Sequence, residues 1–372
     1  MNENRRLTFT EAVFVAALPY RKSVYAAGGF AQTGGPAEPA HWNNFLRTYF
    51  PARDLARAQN ETNRNTAAGY DAATLRYVSI WDAEYPQALR FIYDPPPVLF
   101  YSGTPPPGLF ATDGERIPAV GIVGTRNPHP LAVAAVHEFV AELARNMHAT
   151  PSKINVTQSK ITTDEARAGR AASAVDHTRR GPMIVSGFAR GIDREAHLAA
   201  LDAGLPGVAV LGAGLLHAGP RSNFDVLRRA RENHVPLLLL SEFPPHTVAR
   251  AAFFPRRNRI IAGLVEQVAV LQAPAKSGAI ITARFALDEG RDVLAFDHAM
   301  LVESPGCNDG ARVLIEAGAR LIELPALEAR IRKEPAFGAR GRSERLELWT
   351  RAALGDGMRW LGGRYYLADS RG

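Results

Sequence analysis

The chain has 372 residues, and its 44 Lys and Arg against 37 Asp and Glu give a formal net charge of +7. At roughly 150 residues per domain this length allows two domains, and a pI of 9.7 makes a polyanionic partner plausible. A single cysteine, Cys307, excludes an intramolecular disulfide framework and a cysteine-based zinc site, as is typical of a reducing cytosol. Because no apolar run approaches the ~18 residues of a membrane helix, we expect a soluble, cytoplasmic protein with no membrane partner.

Residues 1–75 show neither helical nor strand periodicity over any length, and they predict a small, irregular, mostly helical region. A short helix, an Asp-Pro-Pro-Pro segment and a strand over Val98–Tyr101 are expected between residues 81 and 103.

From residue 119 onward, short apolar runs are followed by glycine turns and amphipathic stretches. This pattern predicts an α/β fold with a parallel sheet. The expected strands are Ala119–Val123, Met183–Val185, Gly207–Leu211, Pro236–Leu240, Val268–Leu271, Asp292–Phe296 and Arg320–Glu323. The expected helices are Leu131–Met147, Asp193–Ala203, Asn223–Asn233, Asn258–Val265, Ala279–Glu289 and Asp309–Ala317.

Two stretches interrupt this rhythm. Residues 148–180 are polar where a connection of a few residues suffices, which indicates an insertion. Residues 329–343 are rich in Arg and Glu and predict a linker between a 76–328 domain and a short 344–372 module. We find no internal repeat.

Small residues follow four of the expected strands where the chain turns into the next segment. In an open parallel sheet these turns share one edge, where backbone N–H groups and helix N-termini can bind phosphate. The simpler alternative is that the glycines only allow close packing between each strand and the following helix. The first turn reads G-x-x-G, so the dinucleotide fingerprint is not met, and a Walker A loop is also missing from the sequence. The turns begin at Gly121, Ser186, Gly212 and Lys276.

Three arginines and two phenylalanines lie together in residues 253–259, FFPRRNR. Aromatic rings stack on bases and guanidinium groups pair with phosphates, so this predicted loop favours nucleic acid or nucleotide binding over a merely solvated charge run.

Catalytic signals are weak. The sequence has no G-x-S-x-G elbow, no H-E-x-x-H and no metal-ligand spacing. Asp193 and His197 share a helix face and can form an acid–base pair, but we favour the interpretation that Asp193 caps the helix and His197 packs. We therefore expect no enzyme activity, no cofactor and no metal.

Eight motifs, in order, resemble the DprA/Smf family of DNA-processing proteins of natural transformation. They span Trp81 to Leu324 apart from the insertion, and they read YPQAL…DPPPVLFYSG, VGIVGTRNP, IVSGFARGIDREAH, VAVLGAG, LLSEFPP, FPRRNRIIAG, KSGAIITARFALDEGRDV and NDGARVLIEAGA.

The resemblance implies an extended Rossmann-like domain that binds single-stranded DNA, protects incoming DNA, forms a homodimer and loads RecA onto DNA held by the single-strand-binding protein SSB. The C-terminal residues 344–354 and 360–367 resemble the last helix and wing of a winged helix. The DNA-binding set implied by the motifs is Gly124, Arg126, Ser186, Gly187, Arg190, Gly191, Phe254, Arg257, Asn258, Arg259, Lys276 and Ser277. The implied dimer surface contains Val313, Leu314, Leu321 and Ile322.

Two alternatives use the same fold. A nucleotide sensor would bind its ligand at the same phosphate-binding edge. A phosphoribohydrolase-like enzyme would require a P-G-G-x-G-T-x-x-E motif, which this sequence lacks.

Overall fold

The computed structural model describes residues 6–19, 39–67, 75–110, 118–146, 181–302, 306–333, 358–361 and 364–367. The expected insertion at 148–180 lies outside the described residues. The N-terminal region contains the helices α1 (Phe9–Ala17), α2 (Pro39–Tyr49) and α3 (Ala52–Ala67). α1 begins with a capping box, in which the Thr8 hydroxyl accepts from the N–H of Glu11 and the Glu11 carboxylate accepts from the N–H of Thr8.

Nine strands of the described chain form the central sheet, in the order β1-β2-β6-β5-β4-β3-β7-β8-β9. Strands β3 to β9 are parallel, and β2 pairs antiparallel with both β1 and β6. The bounds are β1 (Arg76–Ser79), β2 (Val98–Gly103), β3 (Ala119–Gly124), β4 (Met183–Gly187), β5 (Gly207–Val210), β6 (Leu237–Ser241), β7 (Gln267–Gln272), β8 (Asp292–Ala295) and β9 (Arg320–Leu321).

The helices that follow the strands are α4 (Gln87–Arg90), α5 (Pro130–Asn146), α6 (Ile192–Asp202), α7 (Phe224–Glu232), α8 (Phe253–Leu264), α9 (Gly278–Asp288), α10 (Ala299–Val302), α11 (Asp309–Glu316) and α12 (Pro325–Lys333). The predicted helices are present with similar bounds apart from the start of α8, whereas α10 and α12 were not predicted.

The sheet is apolar on both faces because helices cover both of them. Along β3, Val120 and Ile122 pack with α5 and α6, whereas Ala119 and Val123 pack toward α8 and α9. Successive strand side chains point to opposite faces, so a strand buried on both faces is a continuous apolar run. This is why the strand segments read as continuous apolar runs rather than as alternating apolar and polar residues.

Helix α8 begins at Phe253, five residues before the predicted Asn258. The prediction placed residues 253–257 in a loop. Pro255 lies in the first turn of the helix, where the N–H that proline lacks has no intrahelical partner in any case. The FFPRRNR segment is therefore helical.

One helix extends into the predicted C-terminal linker. Helix α12 continues to Lys333, so the linker expected at 329–343 begins within a helix, and its remainder lies outside the described residues. The helix expected at 344–354 also lies outside them. Strands β10 (Met358–Leu361) and β11 (Arg364–Leu367) form an antiparallel hairpin. In the described residues, no helix is long and apolar enough to span a bilayer.

Candidate nucleic-acid interface

The candidate site lies at the carboxyl ends of the parallel strands. Strands β3 and β7 are neighbours, yet the chain proceeds from β3 toward β4 and from β7 toward β8, which lie on opposite sides. Such a switch point separates the loops that follow the two strands and leaves a crevice between them, where α/β proteins bind ligands.

Two glycines hold the loop after β3 against the start of α6. Gly191 has φ +78°, and a Cβ there would lie 2.4 Å from the carbonyl oxygen of Thr125. That oxygen accepts from the N–H of Ile192 at 3.1 Å. A Cβ on Gly124 would lie 2.5 Å from Cγ1 of Ile192. Gly124 and Gly191 therefore support the loop that carries Arg126, because only glycine permits this close approach.

Arg257 of α8 lies on the floor of the crevice, with only 4% of its surface exposed. Its Nε and Nη1 have no hydrogen-bond partner among the described residues. A Cβ on Gly187 would lie 2.0 Å from Nη1 of Arg257 and 2.2 Å from Oδ2 of Asp193, so this glycine lets the two charged groups approach the end of β4. A buried cation with unused donors is costly for the fold and suits an anionic ligand.

The electrostatics of the floor reflect this burial. Burial lowers the pKa of the Arg257 guanidinium, and the nearby Asp193 carboxylate opposes that effect. Burial raises the pKa of Asp193, and the charges of Arg257 and Arg126 oppose it. The guanidinium remains protonated at neutral pH, so the crevice offers a fixed positive charge.

Arg126 and Phe254 form a bridge over this floor. The Arg126 guanidinium carbon lies 4.9 Å from the centroid of the Phe254 ring, a cation–π contact. A cavity of about 320 Å³ lies on one side of the bridge and a cavity of about 380 Å³ lies on the other, and Arg257 lines both. We call them the β5-side cavity and the β7-side cavity.

Both cavities are lined mainly by apolar surface, and the β7-side cavity has more polar side chains. Further residues of the β5-side cavity include Phe188, Arg190, Leu211, Gly212, His217 and Pro220. Further residues of the β7-side cavity include Thr125, Asp193, Asn258, Lys276, Ser277 and Gly278.

The start of α9 faces the β7-side cavity. Ser277 is the N-cap, and its hydroxyl accepts from the N–H of Ala279 at 3.3 Å. A Cβ on Gly278 would meet nothing within 4 Å, so the first turn is open to a ligand. The amide of Asn258 donates to the carbonyl of Gly278 at 3.2 Å and thereby ties α8 to α9. Lys276 is exposed beside this turn, which adds charge to the favourable helix dipole.

Arg259 was predicted to contact DNA, but its guanidinium is buried in ion pairs. Its Nε donates to Asp94 at 2.8 Å, and its Nη1 and Nη2 donate to the two carboxylate oxygens of Glu242 at 2.9 and 2.8 Å. Only 5% of its surface is exposed. Glu242 also pairs with Arg256 at 2.9 Å. Arg259 therefore fixes α8 to the segment after β6 and to the Asp94 loop.

Ser186 of the predicted contact set and the first phenylalanine of the FFPRRNR segment have structural roles. Ser186 is buried and its hydroxyl donates to the carbonyl of Ile122 at 2.6 Å, so its side chain does not face a ligand. Phe253 stacks on Phe243 at 4.4 Å, so it is not a free platform for a base. Arg190 is exposed at the mouth of the β5-side cavity, as a phosphate-binding residue needs to be.

The prediction that Asp193 caps α6 is wrong. The N-cap is Gly191 and has no side-chain hydrogen bond. His197 packs in the core as expected, with one ring nitrogen 2.8 Å from the carbonyl oxygen of Gly187. Burial lowers its pKa to about 4, so His197 is neutral at physiological pH.

The predicted dimer surface divides into exposed and buried residues. Val313 is 58% exposed and Leu321 is 44% exposed, whereas Leu314 and Ile322 are buried in the cores on the two faces of the sheet. Leu314 and Ile322 are therefore removed from the proposed interface.

Sequence reasoning missed the residues that build the β5-side cavity, notably Phe188, His217 and Pro220. The available signal was the AGP turn at 218–220, which follows the glycine turn at 212–214. No cluster of His, Cys, Asp or Glu suitable for a metal ion occurs in the part of the chain that the structure describes.

Comparison with known proteins identifies the family. The model of the family described as DNA recombination-mediator protein A matches residues 76–153 and 148–327. DNA processing protein DprA of Bacillus subtilis is 34% identical over 255 residues, which cover 68% of this chain and 70% of the relative. DNA processing protein DprA of Streptococcus pneumoniae is 34% identical over 244 residues, which cover 66% of this chain and 70% of the relative.

A solved structure has the same architecture. The X-ray structure of DprA from Streptococcus pneumoniae superposes with a TM-score of 0.60 and 26% identity, covering 86% of this chain and 95% of that one. It supports the Rossmann-like description of the central sheet. Together with the match over most of the sheet domain, these similarities show that the chain belongs to the DprA/Smf family, the DNA recombination-mediator protein A family.

Proposed function

We propose that the protein binds single-stranded DNA along the edge where the parallel strands end. One observation carries the proposal: the buried Arg257, whose Nε and Nη1 lack partners among the described residues, lies on the floor of two adjoining cavities. A phosphate on Arg257 would compensate its buried charge, and Arg126, Arg190, Lys276 and the first turn of α9 would hold the neighbouring phosphates.

The depth of Arg257 in the crevice favours a single strand over a duplex as the ligand. Arg257 is nearly inaccessible at the surface, so a phosphate must enter the crevice to reach it. A flexible single strand can bend there and turn its bases outward or into the mainly apolar β5-side cavity, whereas the phosphates of a duplex stay on a rigid cylinder. The Phe254 ring becomes a stacking surface for a base where Arg126 leaves it to pair with a phosphate.

The family relationship supports a role in DNA processing. Both relatives described above carry the name DNA processing protein DprA. We extend the proposal to protection of incoming DNA and to loading of RecA onto DNA held by SSB in natural transformation, in the cytoplasm and without enzymatic turnover. We propose a homodimer through the exposed Val313 and Leu321, because a twofold assembly would place two such sites on one strand.

A nucleotide sensor is the second candidate, favoured by the size of the β5-side cavity. Its volume of about 320 Å³ lies at the lower end of the range for small-molecule pockets. A sensor should bind a mononucleotide in the micromolar range, whereas a strand-binding protein needs several linked phosphates. Competition between a mononucleotide and an oligonucleotide distinguishes the two functions.

Binding to single-stranded DNA, duplex DNA and RNA of equal length, measured across a salt series, tests the proposal. We expect single-stranded DNA to bind more tightly than the duplex, with a log–log salt slope of about −0.7 per neutralised phosphate. Equal affinity for single and double strands would contradict the proposed site.

A further inference from the structure

The floor of the proposed site holds a carboxylate that phosphate binding alone does not require. Asp193 lies beside Arg257, lines the β7-side cavity and is buried. Its Oδ2 and Nη1 of Arg257 approach the same point above Gly187, at 2.2 and 2.0 Å from the position of a Cβ there. A negative charge next to an anion-binding arginine weakens the binding of an anion in general. It can nevertheless discriminate between anions of different charge.

The charge of a phosphate decides how strongly Asp193 opposes its binding beside Arg257. Nε and Nη1 of Arg257 are both unpartnered among the described residues, but they lie on opposite edges of the guanidinium and do not hold two oxygens of one phosphate side by side. A phosphodiester within a strand carries one negative charge, shared by two oxygens, and its two ester oxygens can face Asp193 without a charge clash. A terminal phosphate has three unesterified oxygens and a charge of about −1.5 to −2 at pH 7. The Asp193 carboxylate therefore repels a terminal phosphate more strongly than an internal one.

The shape of the site also suits an internal phosphate. Arg257 lines the cavities on both sides of the Arg126–Phe254 bridge. A strand can therefore extend from a phosphate on Arg257 in two directions, one through each cavity. A terminal phosphate uses only one of these exits.

We propose that Asp193 makes this site selective for the singly charged phosphodiester within a strand, and against the doubly charged phosphate of a free nucleotide or a phosphorylated strand end. The inference rests on the proposed function, because it assumes that Arg257 binds a phosphate of the strand. It assigns to Asp193 the choice between an internal phosphate and a terminal one.

Two cations face the buried carboxylate of Asp193. The charged groups facing it are Arg257 and Arg126, and both stabilise its ionised form, while burial raises its pKa. The Ser186 hydroxyl also contacts Asp193, but its proton is donated to the carbonyl of Ile122. His197, one turn further along α6, is neutral.

The test compares two short oligothymidylates of about six nucleotides, within the range of one binding site, with a 3′ fluorophore and either a 5′ hydroxyl or a 5′ phosphate. Their dissociation constants are measured by fluorescence anisotropy at pH 7.5 with the full chain. For the wild type we expect the 5′ phosphate to change the affinity by less than about twofold. For Asp193→Asn we expect it to increase the affinity by about fivefold or more, because a carboxylate no longer repels the doubly charged phosphate.

Asp202→Asn is the matched control. It removes one negative charge from the same helix, at a half-exposed position paired with Arg229 and away from both cavities. We expect it to behave as the wild type. If the 5′ phosphate increases the affinity of this variant as well, the effect belongs to net charge and the proposal is overturned. Circular dichroism establishes that each variant is folded, and Asp193→Ser replaces Asp193→Asn where the amide does not fit.

Each outcome decides one question. A fivefold gain from the 5′ phosphate in the wild type, or no gain in the folded Asp193 variants, would overturn the role of Asp193 while leaving strand binding intact. Failure of the wild type to bind either oligonucleotide would instead overturn the proposed function.

Discussion

Arg257 and Arg259 lie two residues apart on one helix, and their substitution should have opposite consequences. Replacing Arg259 with Met removes three charge-assisted hydrogen bonds of 2.8 to 2.9 Å and leaves Asp94 and Glu242 buried without that cation. Breaking a buried ion pair from one side costs about 3 to 5 kcal/mol of unfolding free energy. Replacing Arg257 with Met removes no hydrogen bond to the described residues and keeps most of the apolar contact.

We therefore expect the unfolding free energy of Arg257→Met to lie within about 1 kcal/mol of the wild-type value. The lost attraction to Asp193 is offset by the removal of a buried cation whose Nε and Nη1 have no partner among the described residues. Arg259→Met should lose most of the predicted 3 to 5 kcal/mol of unfolding free energy. The loss is smaller if Arg256 neutralises the charge of Glu242 in the variant. Urea unfolding followed by far-UV circular dichroism measures both free energies. If the unfolding free energy depends equally steeply on urea concentration in both variants, their midpoint urea concentrations can be compared directly. A stable Arg259→Met variant would refute the assignment of Arg259 to the core.

Three further predictions concern stability and assembly. Gly191→Ala should lower the thermal midpoint markedly and disturb the Arg126 loop, because its Cβ would lie 2.4 Å from the Thr125 oxygen at a φ of +78°; a wild-type midpoint would contradict this. His197, with a pKa lowered to about 4 in the fold and near 6.5 when unfolded, contributes stability above pH 6.5 that is lost as the pH falls toward 4, by about 3 kcal/mol in total. His197→Gln should flatten the dependence of urea unfolding on pH in that window, and an unchanged dependence would assign it to other groups. Val313→Arg should yield monomers in light scattering with an unchanged circular dichroism spectrum, whereas Leu287→Arg, at a similarly exposed position, should not; a dimeric Val313→Arg would exclude the proposed interface.

The sequence predicted most of the strands and helices because the sheet is buried on both faces and produces apolar runs that end at glycines. Strand β1 and the antiparallel direction of β2 were not predicted. Strand β1 has only four residues and little pattern of its own, and the direction of β2 is decided by its pairing with distant residues of β6 such as Ser241.

The site was harder to predict at the level of single residues. The RRNR motif shows three arginines but not which of them face solvent, because one helical turn distributes them over different surroundings. Arg257 points to the crevice and Arg259 to Asp94 and Glu242, two carboxylates far from it in sequence. Periodicity alone does not reveal such long-range partners, and the same holds for Leu314 and Ile322.

The central claim is that Arg257 is the buried anchor for a phosphate of a single strand. The most direct test is an anisotropy titration of labelled oligothymidylate, about 20 nucleotides long, with the wild type and the folded Arg257→Met variant at one salt concentration. We predict a loss of affinity of about tenfold or more, which corresponds to charge-assisted hydrogen bonds of roughly 1.5 to 3 kcal/mol. Wild-type affinity in a folded Arg257→Met variant would contradict the claim.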